Sequence, residues 1–404
     1  MNIIPNIETK RLAVKLKPSA EKMVKKQHPW VFSKSIIKQN AEGESGDIVI
    51  VYDNKKNGFL ACGLYDPYSP IRIKLIQFEK SAQINEDWFV NKITLAFEKR
   101  KPLLKTDTNS YRLLFGENDS LPSFIADIYD TVLVIKLYSH IWLPYLNWIV
   151  KHIITTTNCE TVILRLSRSL QAKGPLYGLK DGKVIYGTLK NEVVIFKEHG
   201  VLFSANVIHG HKTGYFLDHR HNRKRVGELA NNKTVLDVFS YAGGFSVHAL
   251  KGGAKEVVSL DISKQALGMA KENAGLNMPT GKHTIIVADA FEGLQELINK
   301  KKQFDIVVID PPSFAKRESE ISKAKNSYDR LAKLGAKLVT RKGILVLASC
   351  SSRVIAEDFF TISEEGILSS GRTFDVLEKT YHDIDHPVTF NEGAYLKCGY
   401  YKLN

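Results

Sequence analysis

Cysteine is scarce in this chain, and the few cysteines form no recognisable pattern. The sequence has 404 residues and four cysteines, Cys62, Cys159, Cys350 and Cys398. They are far apart and belong to no CxxC pair or Cys/His cluster, so neither a disulfide framework nor a structural zinc site is supported. We therefore expect no bound metal and a reducing compartment.

Long hydrophobic runs are also missing. The first residues lack the apolar core of a signal peptide, and the most apolar stretch, which starts at Val132, is interrupted by Lys136, His140 and Pro144. We therefore expect a cytoplasmic protein without a membrane partner.

Acidic residues are outnumbered. The chain has 57 Lys and Arg against 43 Asp and Glu, a formal net charge of +14. Residues 1–40 alone hold nine basic and two acidic side chains. Such an excess favours a polyanionic partner, nucleic acid before an anionic membrane, although a solvated basic face is the alternative reading.

The length exceeds what one core usually organises, and we expect three domains, at residues 1–80, 81–200 and 201–404. In the first, short β-type runs separated by turn residues predict a small β-barrel. The run HPWVFSKSI inside it places an aromatic among basic residues, a combination typical of RNA binding, and we predict contacts from Trp30, Lys34, Lys25 and Lys26. The alternative is that Trp30 belongs to the core.

The pattern then changes twice. Residues 81–200 combine an amphipathic helix with apolar strand-like segments, which predicts a central α+β domain. From about residue 233, apolar strands alternate with helix-length segments, which predicts a doubly wound, mostly parallel, Rossmann-like sheet. The last two strand-like runs predict an antiparallel edge hairpin, and the fold class is α/β.

Carboxylates follow successive strands of this predicted sheet. The segment LDVFSYAGGFS carries Asp237 and a turn with Gly243 and Gly244, which lets backbone approach a ligand. Asp261, Asp289 and Asp310 follow the next strands, and the carboxyl ends of parallel strands meet at the ligand-binding edge. The alternative is that each aspartate only caps the following helix.

These features resemble class I S-adenosylmethionine (SAM)-dependent methyltransferases. The segments GYFLDHRHNR, DVFSYAGGFS, FDIVVIDPPSF, LASCSS and DHPVTFNEGAYLKCGYY are similar to the RlmI-type large-subunit (23S) ribosomal RNA cytosine-5 methyltransferase family, HPWVFS to its PUA domain, and YRLLFGENDSLPSFIADIYD to its central domain. The resemblance implies SAM as cofactor, ribosomal RNA as partner, and a SAM pocket lined by Asp237, Ser240, Gly243, Gly244, Asp261, Ile262, Asp289, Ala290 and Asp310, with Arg220 and Asn222 from the preceding loop.

Cys350 ends the strand that follows Asp310 in the chain, so a thiol and a carboxylate are expected beside the methyl donor. Carbon 5 of a pyrimidine is a weak nucleophile, and addition of a thiolate to carbon 6 activates it. We predict Cys350 as nucleophile, with local positive charge lowering its pKa, and a protonated Asp310 as donor to ring nitrogen N3. The base that removes the carbon 5 proton is not identified.

Several alternatives stay open at this point. The same fold could methylate carbon 5 of uracil or a guanine, or the chain could be a non-catalytic RNA-binding assembly factor. The substrate could be naked 23S RNA or a precursor subunit, and a homodimer is an open alternative. The resemblance departs at Ser313, where a longer, often basic residue is expected.

Overall fold

The computed structural model describes residues 3–404, which divide into two compact units. The first unit holds the chain up to Lys197 together with Ser204–Leu217 and Ile384–Phe390. The second holds Glu198–Phe203, Asp218–Asp383 and Asn391–Asn404. The domain boundaries at residues 80 and 200 stay a prediction.

The first unit begins with a six-stranded sheet in the order β2-β6-β5-β4-β1-β3. Strands β1 and β4 alternate buried apolar and more exposed residues, so one face packs on a core that includes Leu12, Val14 and Val49. Only β1 and β4 pair in parallel within this sheet. Its elements are β1 Arg11–Leu16, α1 Pro18–Lys25, β2 Trp30–Phe32, β3 Ile36–Gln39, β4 Ile48–Tyr52, β5 Phe59–Tyr65 and β6 Ile71–Phe78.

A five-stranded sheet in the order β11-β10-β9-β8-β7 follows in the same unit. Helix α2 begins after Asn85, whose side chain accepts a hydrogen bond from the Trp88 amide, and it buries Phe89 and Ile93 in the core. The elements are α2 Glu86–Leu104, β7 Ser110–Phe115, β8 Phe124–Tyr129, β9 Val132–Leu137, α3 Leu146–Thr157, β10 Thr161–Leu166, α4 Arg168–Gln171 and β11 Lys183–Tyr186. A two-stranded ribbon, β12 Val193–Glu198 and β13 Val201–Asn206, comes next.

The second unit contains a seven-stranded sheet in the order β16-β15-β14-β17-β18-β20-β19. Strands β14 to β18 are parallel, and helices separate them along the chain. The elements are α5 Arg220–Leu229, β14 Thr234–Val238, α6 Gly244–Lys251, β15 Glu256–Asp261, α7 Lys264–Leu276, β16 Lys282–Val287, α8 Ala290–Asn299, β17 Phe304–Ile309, α9 Ile321–Leu338, β18 Val339–Ser349, α10 Ala356–Ser369, β19 Phe374–Thr380 and β20 Lys397–Leu403.

The last two strands form the predicted antiparallel hairpin. β20 pairs antiparallel with both β18 and β19, so it lies between them and β19 is the edge strand. The α/β class, with a Rossmann-like sheet and an antiparallel hairpin, is confirmed. Over residues 3–404, no helix has the length and apolar character needed to cross a bilayer.

Candidate active site

The site forms where the parallel strands of the second unit end. Asp237 lies near the end of β14, Asp261 is the last residue of β15, Asp289 follows β16, and Asp310 follows β17. Because the strands are parallel, all four carboxyl groups lie at the carboxyl edge of one sheet.

The loop after β14 has an unusual backbone. Phe239 and Tyr241 have positive φ angles of 62° and 46°, and Gly243 has a φ of 79°. A Cβ atom on Gly243 would lie 2.8 Å from the Cβ atom of Ala270 in α7, so a side chain is excluded there. Strain of this kind in non-glycine residues clusters at ligand-binding sites, where the surrounding structure maintains it.

Asp237 and Ser240 carry buried oxygen atoms that lack a protein partner. The Oδ2 atom of Asp237 accepts hydrogen bonds from the amide and the hydroxyl of Ser246, at 3.0 and 2.6 Å. Within residues 3–404, its Oδ1 atom and the Ser240 hydroxyl have no hydrogen-bond partner. Burial raises the pKa of Asp237, the Ser246 hydrogen bonds oppose this, and the charges of Asp310 and Asp261 add to the rise, so that the net pKa is about 7. These two oxygens fit a polar, positively charged ligand such as SAM.

Asp261 and Asp289 hold backbone at the same edge. Asp261 accepts from the amides of Tyr241 and Ser263, at 2.9 and 2.8 Å, and so fixes the strained loop. Asp289 is exposed and caps α8 by accepting from the amide of Phe291 at 2.9 Å. Of their neighbours, Ile262 is 72% exposed and Ala290 is buried. The capping role expected as the alternative is therefore present at Asp289.

Arg220 and Asn222 are fully buried in helix α5. Arg220 forms an ion pair with Asp383, with Nη1 3.0 Å from Oδ2. The Oδ1 atom of Asn222 accepts from the hydroxyls of Thr380 and Tyr400, at 2.6 and 3.0 Å. These contacts tie α5 to the hairpin, and a direct role of either residue toward SAM stays a prediction.

Asp237 makes the stability of the protein depend on pH. Folding raises the pKa of this carboxyl from 3.8 to about 7, so its contribution is fully present below about pH 4 and is lost as the pH rises through about 7. We expect Asp237→Asn to remove that dependence. The free energy of unfolding of the variant minus that of the wild type should therefore increase between about pH 4 and 8, by up to about 4 kcal/mol. The difference in melting temperature should increase with it. Thermal melts of the ligand-free proteins measure it, and a difference that stays constant would contradict the assignment.

Three side chains meet beside these carboxylates. Asp310 and Cys350 follow β17 and β18, whose residues Ile309 and Leu347 are register partners. The Cys350 sulfur lies 4.0 Å from Asp310 Oδ1 and 3.5 Å from His219 Nε2, and Nε2 lies 3.4 Å from the same Oδ1. A thiol, a carboxyl group and an imidazole are therefore within reach of one another.

The electrostatic environment favours the thiol form of Cys350. Burial raises the pKa of this half-buried thiol well above its ordinary value, and the carboxylates of Asp310 and Asp218 raise it further, against the Lys397 ammonium. Burial lowers the pKa of His219, but the charge and hydrogen bond of Asp310 outweigh this, and the net shift is upward. The thiol consequently requires a specific partner before it can act as a nucleophile.

Lys397 holds the segment that carries Cys350. This buried residue begins β20, and its ammonium donates to the carbonyl oxygens of Ser351, Val354 and Tyr395. Burial lowers its pKa to about 8. The ammonium therefore fixes the backbone on the carboxyl side of the thiol.

His219 was not identified from the sequence as a site residue, and neither was Lys397. The motif GYFLDHRHNR contains His219 beside Arg220. The motif alone does not show that the imidazole of His219 points toward Cys350. The donor atoms of His219, Asp310 and Cys350 lie within 4.8 Å of one another, close enough to share a metal ion. The expectation of no metal stays a prediction.

The predicted RNA-binding residues lie in the first unit. Lys25, Lys26 and Lys34 are exposed, and Lys25 pairs with Glu21. Trp30 is half-buried, and its indole donates to Glu117 and contacts the ring of Phe390 edge-on. The exposed aromatic side chain of this run is Phe32, at 48%. The RNA-binding assignment stays a prediction.

Comparisons with known proteins agree with this architecture. A family profile described as S-adenosylmethionine-dependent methyltransferase matches residues 184–387, and a PUA-like domain profile matches residues 14–78. A "Ribosomal RNA large subunit methyltransferase" of Deinococcus radiodurans is 39% identical over 406 residues, which cover 99% of this chain and 99% of that protein. A "Ribosomal RNA large subunit methyltransferase I" of Aeromonas salmonicida is 36% identical, and the match covers 93% of this chain and 96% of that protein.

Solved structures show the same fold at lower identity. A protein of Streptococcus mutans described as a SAM-dependent methyltransferase has a TM-score of 0.80 at 22% identity, covering 96% of this chain and 99% of that one. A methyltransferase complexed with SAH has a TM-score of 0.80 at 23% identity, covering 98% of this chain and 100% of the other.

Proposed function

The chain belongs to the S-adenosylmethionine-dependent ribosomal RNA large subunit methyltransferase family, and from this premise we propose that it forms 5-methylcytosine in 23S ribosomal RNA through a covalent adduct with Cys350. The observation that carries this proposal is the position of the Cys350 sulfur, 4.0 Å from Asp310 at the edge where the cofactor carboxylates converge. A methyltransferase that modifies a nitrogen atom directly needs no such thiol.

The chemistry explains why a thiol is required. Carbon 5 of cytosine is too weak a nucleophile to accept a methyl group directly, and a sulfur–carbon 6 bond makes it enamine-like. Bound SAM supplies an electrophilic methyl group to this site. After methylation, a base removes the proton from carbon 5 and the sulfur–carbon bond breaks, which regenerates Cys350.

Asp310 has the position of the acid in this scheme. Addition of sulfur to carbon 6 places negative charge on the ring, and a proton delivered to N3 neutralises it. A carboxyl group 4.0 Å from the sulfur can reach that edge of the same base. A target base in structured RNA has to leave its stack to occupy this position.

The cofactor residues proposed for SAM fit this arrangement. The oxygens of Asp237 and Ser240 without a protein partner would bind polar groups of SAM, and the Gly243–Gly244 turn, with its positive φ at Gly243, would let backbone approach the cofactor. Beyond these, we propose that the pocket is completed by Asp261, Ile262, Asp289, Ala290 and Asp310.

Nucleoside analysis tests the function directly. Ribosomal RNA from cells with and without the gene is digested for mass spectrometry and mapped by bisulfite sequencing. We expect one 5-methylcytosine in 23S RNA that is lost with the gene. Loss of 5-methyluridine or of a methylguanosine instead would assign the same fold to another base. SAM binding without loss of any methylated nucleoside would indicate a non-catalytic assembly factor.

Binding to 23S RNA is expected to depend steeply on salt, because exposed lysines of the first unit replace counterions on phosphates. Affinity should fall at least about 100-fold between about 50 and 200 mM salt. Replacing Lys25, Lys26 and Lys34 by glutamine should flatten this slope more than the matched change at Lys300, Lys301 and Lys302, three exposed lysines of the second unit. Filter binding across a salt series measures both slopes, and equal slopes would exclude the first three lysines.

A further inference from the structure

His219 lies between the two groups that exchange a proton in the proposed reaction. Its Nε2 atom is 3.5 Å from the Cys350 sulfur and 3.4 Å from Asp310 Oδ1. The side chain is buried, and it belongs to the residue that caps α5. Two roles are open to an imidazole here, because it can accept the thiol proton or donate its own hydrogen bond.

Asn222 decides between these roles. Its Oδ1 atom accepts from the hydroxyls of Thr380 and Tyr400, which places Oδ1 on the hairpin side, and the Asp310 carboxylate beside Nε2 favours the same arrangement because it can only accept a hydrogen bond. Its Nδ2 atom therefore faces His219 Nδ1, at 3.1 Å. An amide nitrogen only donates, so Nδ1 is the acceptor and the proton of the neutral ring resides on Nε2.

We propose, on the basis of the function proposed above, that His219 acts as a hydrogen-bond donor through Nε2 to the Cys350 thiolate, and that Asp310, not His219, receives the thiol proton. The S–H bond breaks and an O–H bond forms on the Asp310 carboxylate. The sulfur then bonds to carbon 6, and Asp310 passes the same proton to N3. The number of protons in the site is unchanged, and no further reactant is required.

The same arrangement explains how the thiolate is stabilised as it forms. While Asp310 is ionised, the Nε2 hydrogen has a carboxylate acceptor at 3.4 Å. Once Asp310 takes the thiol proton, that acceptor loses its charge, and the sulfur at 3.5 Å becomes the negative partner of the same N–H group. Asn222 is a positioning residue in this scheme, since it acts only through the ring of His219.

Glutamine and alanine at position 219 separate a donor from a base. The side-chain amide of glutamine can donate from near the position of Nε2, but it has no basic nitrogen at neutral pH. We expect His219→Ala to slow single-turnover methylation of a 23S RNA transcript about tenfold or more, and His219→Gln to stay within about threefold of wild type. His219→Asn, whose amide is too short to reach the sulfur, should resemble His219→Ala.

A second readout needs no RNA. Alkylation of Cys350 by iodoacetamide, followed by peptide mass spectrometry at one fixed pH with EDTA present, reports the availability of the thiolate. The order of rates should again be wild type, then His219→Gln, with His219→Ala and His219→Asn slowest. Melting temperature and SAH affinity of each variant show that the fold is intact.

Equal loss in the glutamine and alanine variants, in either readout, would overturn the donor role and make His219 a base. A failure of the proposed function looks different, because the nucleoside would not be 5-methylcytosine while the alkylation order remained as expected.

Discussion

Cys350→Ala is expected to lower single-turnover methyl transfer by at least about 10⁴-fold, because the covalent route through carbon 6 is lost. SAH affinity should change little, since the unpaired oxygens of Asp237 and Ser240 remain in place. Single-turnover assays with radiolabelled SAM and 23S RNA measure the first quantity, and calorimetry measures the second.

The control for this variant is Cys62→Ala. Cys62 is buried in β5 of the first unit, so its removal should leave methyl transfer intact. RNA that contains 5-fluorocytidine gives a complementary test. Fluorine replaces the proton that a base must remove from carbon 5, so the covalent adduct cannot be released. Wild type should form a denaturation-resistant complex with this RNA and Cys350→Ala should not. An alanine variant that keeps a tenth of the activity would exclude the covalent mechanism.

Arg223→Ala is expected to cause the largest loss of stability, about 3 to 5 kcal/mol. Arg223 in α5 makes a two-point ion pair with Glu198, with Nε and Nη2 2.7 and 2.6 Å from the two carboxylate oxygens. His248 of α6 is 2.9 Å from the same carboxylate, and all three side chains are buried. Burial raises the pKa of Glu198, but Arg223 outweighs this and holds it well below its usual range. Without Arg223, a buried negative charge keeps only a histidine partner.

Arg225→Ala is the matched control in the same helix. The Arg225 side chain is 41% exposed and pairs with Glu378 and Glu228 at the surface, where such pairs contribute less than about 1 kcal/mol. Chemical denaturation of both variants at neutral pH compares them. The assignment would be wrong if the two losses were similar.

The fold could be read from the sequence because local patterns determine it. Alternating strands and helices after residue 233 predict a parallel sheet, because this pattern of elements depends on local sequence. The last two strand-like runs predict the hairpin in the same way. The PUA-like character of the first strands and the use of SAM also agree with the comparisons. The rule that the carboxyl ends of parallel strands share one edge predicts Asp310 and Cys350 at that edge, and both lie there in the structure.

The environment of the thiol could not be read in the same way. The sequence suggested local positive charge to lower the pKa of Cys350, whereas burial and the carboxylates of Asp310 and Asp218 raise it. Charge at a buried atom depends on side chains brought together from α5, β17 and β20, and no spacing along the chain encodes that meeting. Trp30 illustrates the same limit, because the partners that half-bury it, Glu117 and Phe390, are distant in sequence.

The contact between Lys397 and the carbonyl oxygens of Ser351 and Val354 has a consequence for synthesis. Residues 350 to 354 are translated before residue 397, and until Lys397 has been added the buried ammonium that fixes their backbone is absent. Translation order therefore delays the fixed arrangement of the backbone beside Cys350 until β20 has paired with β18.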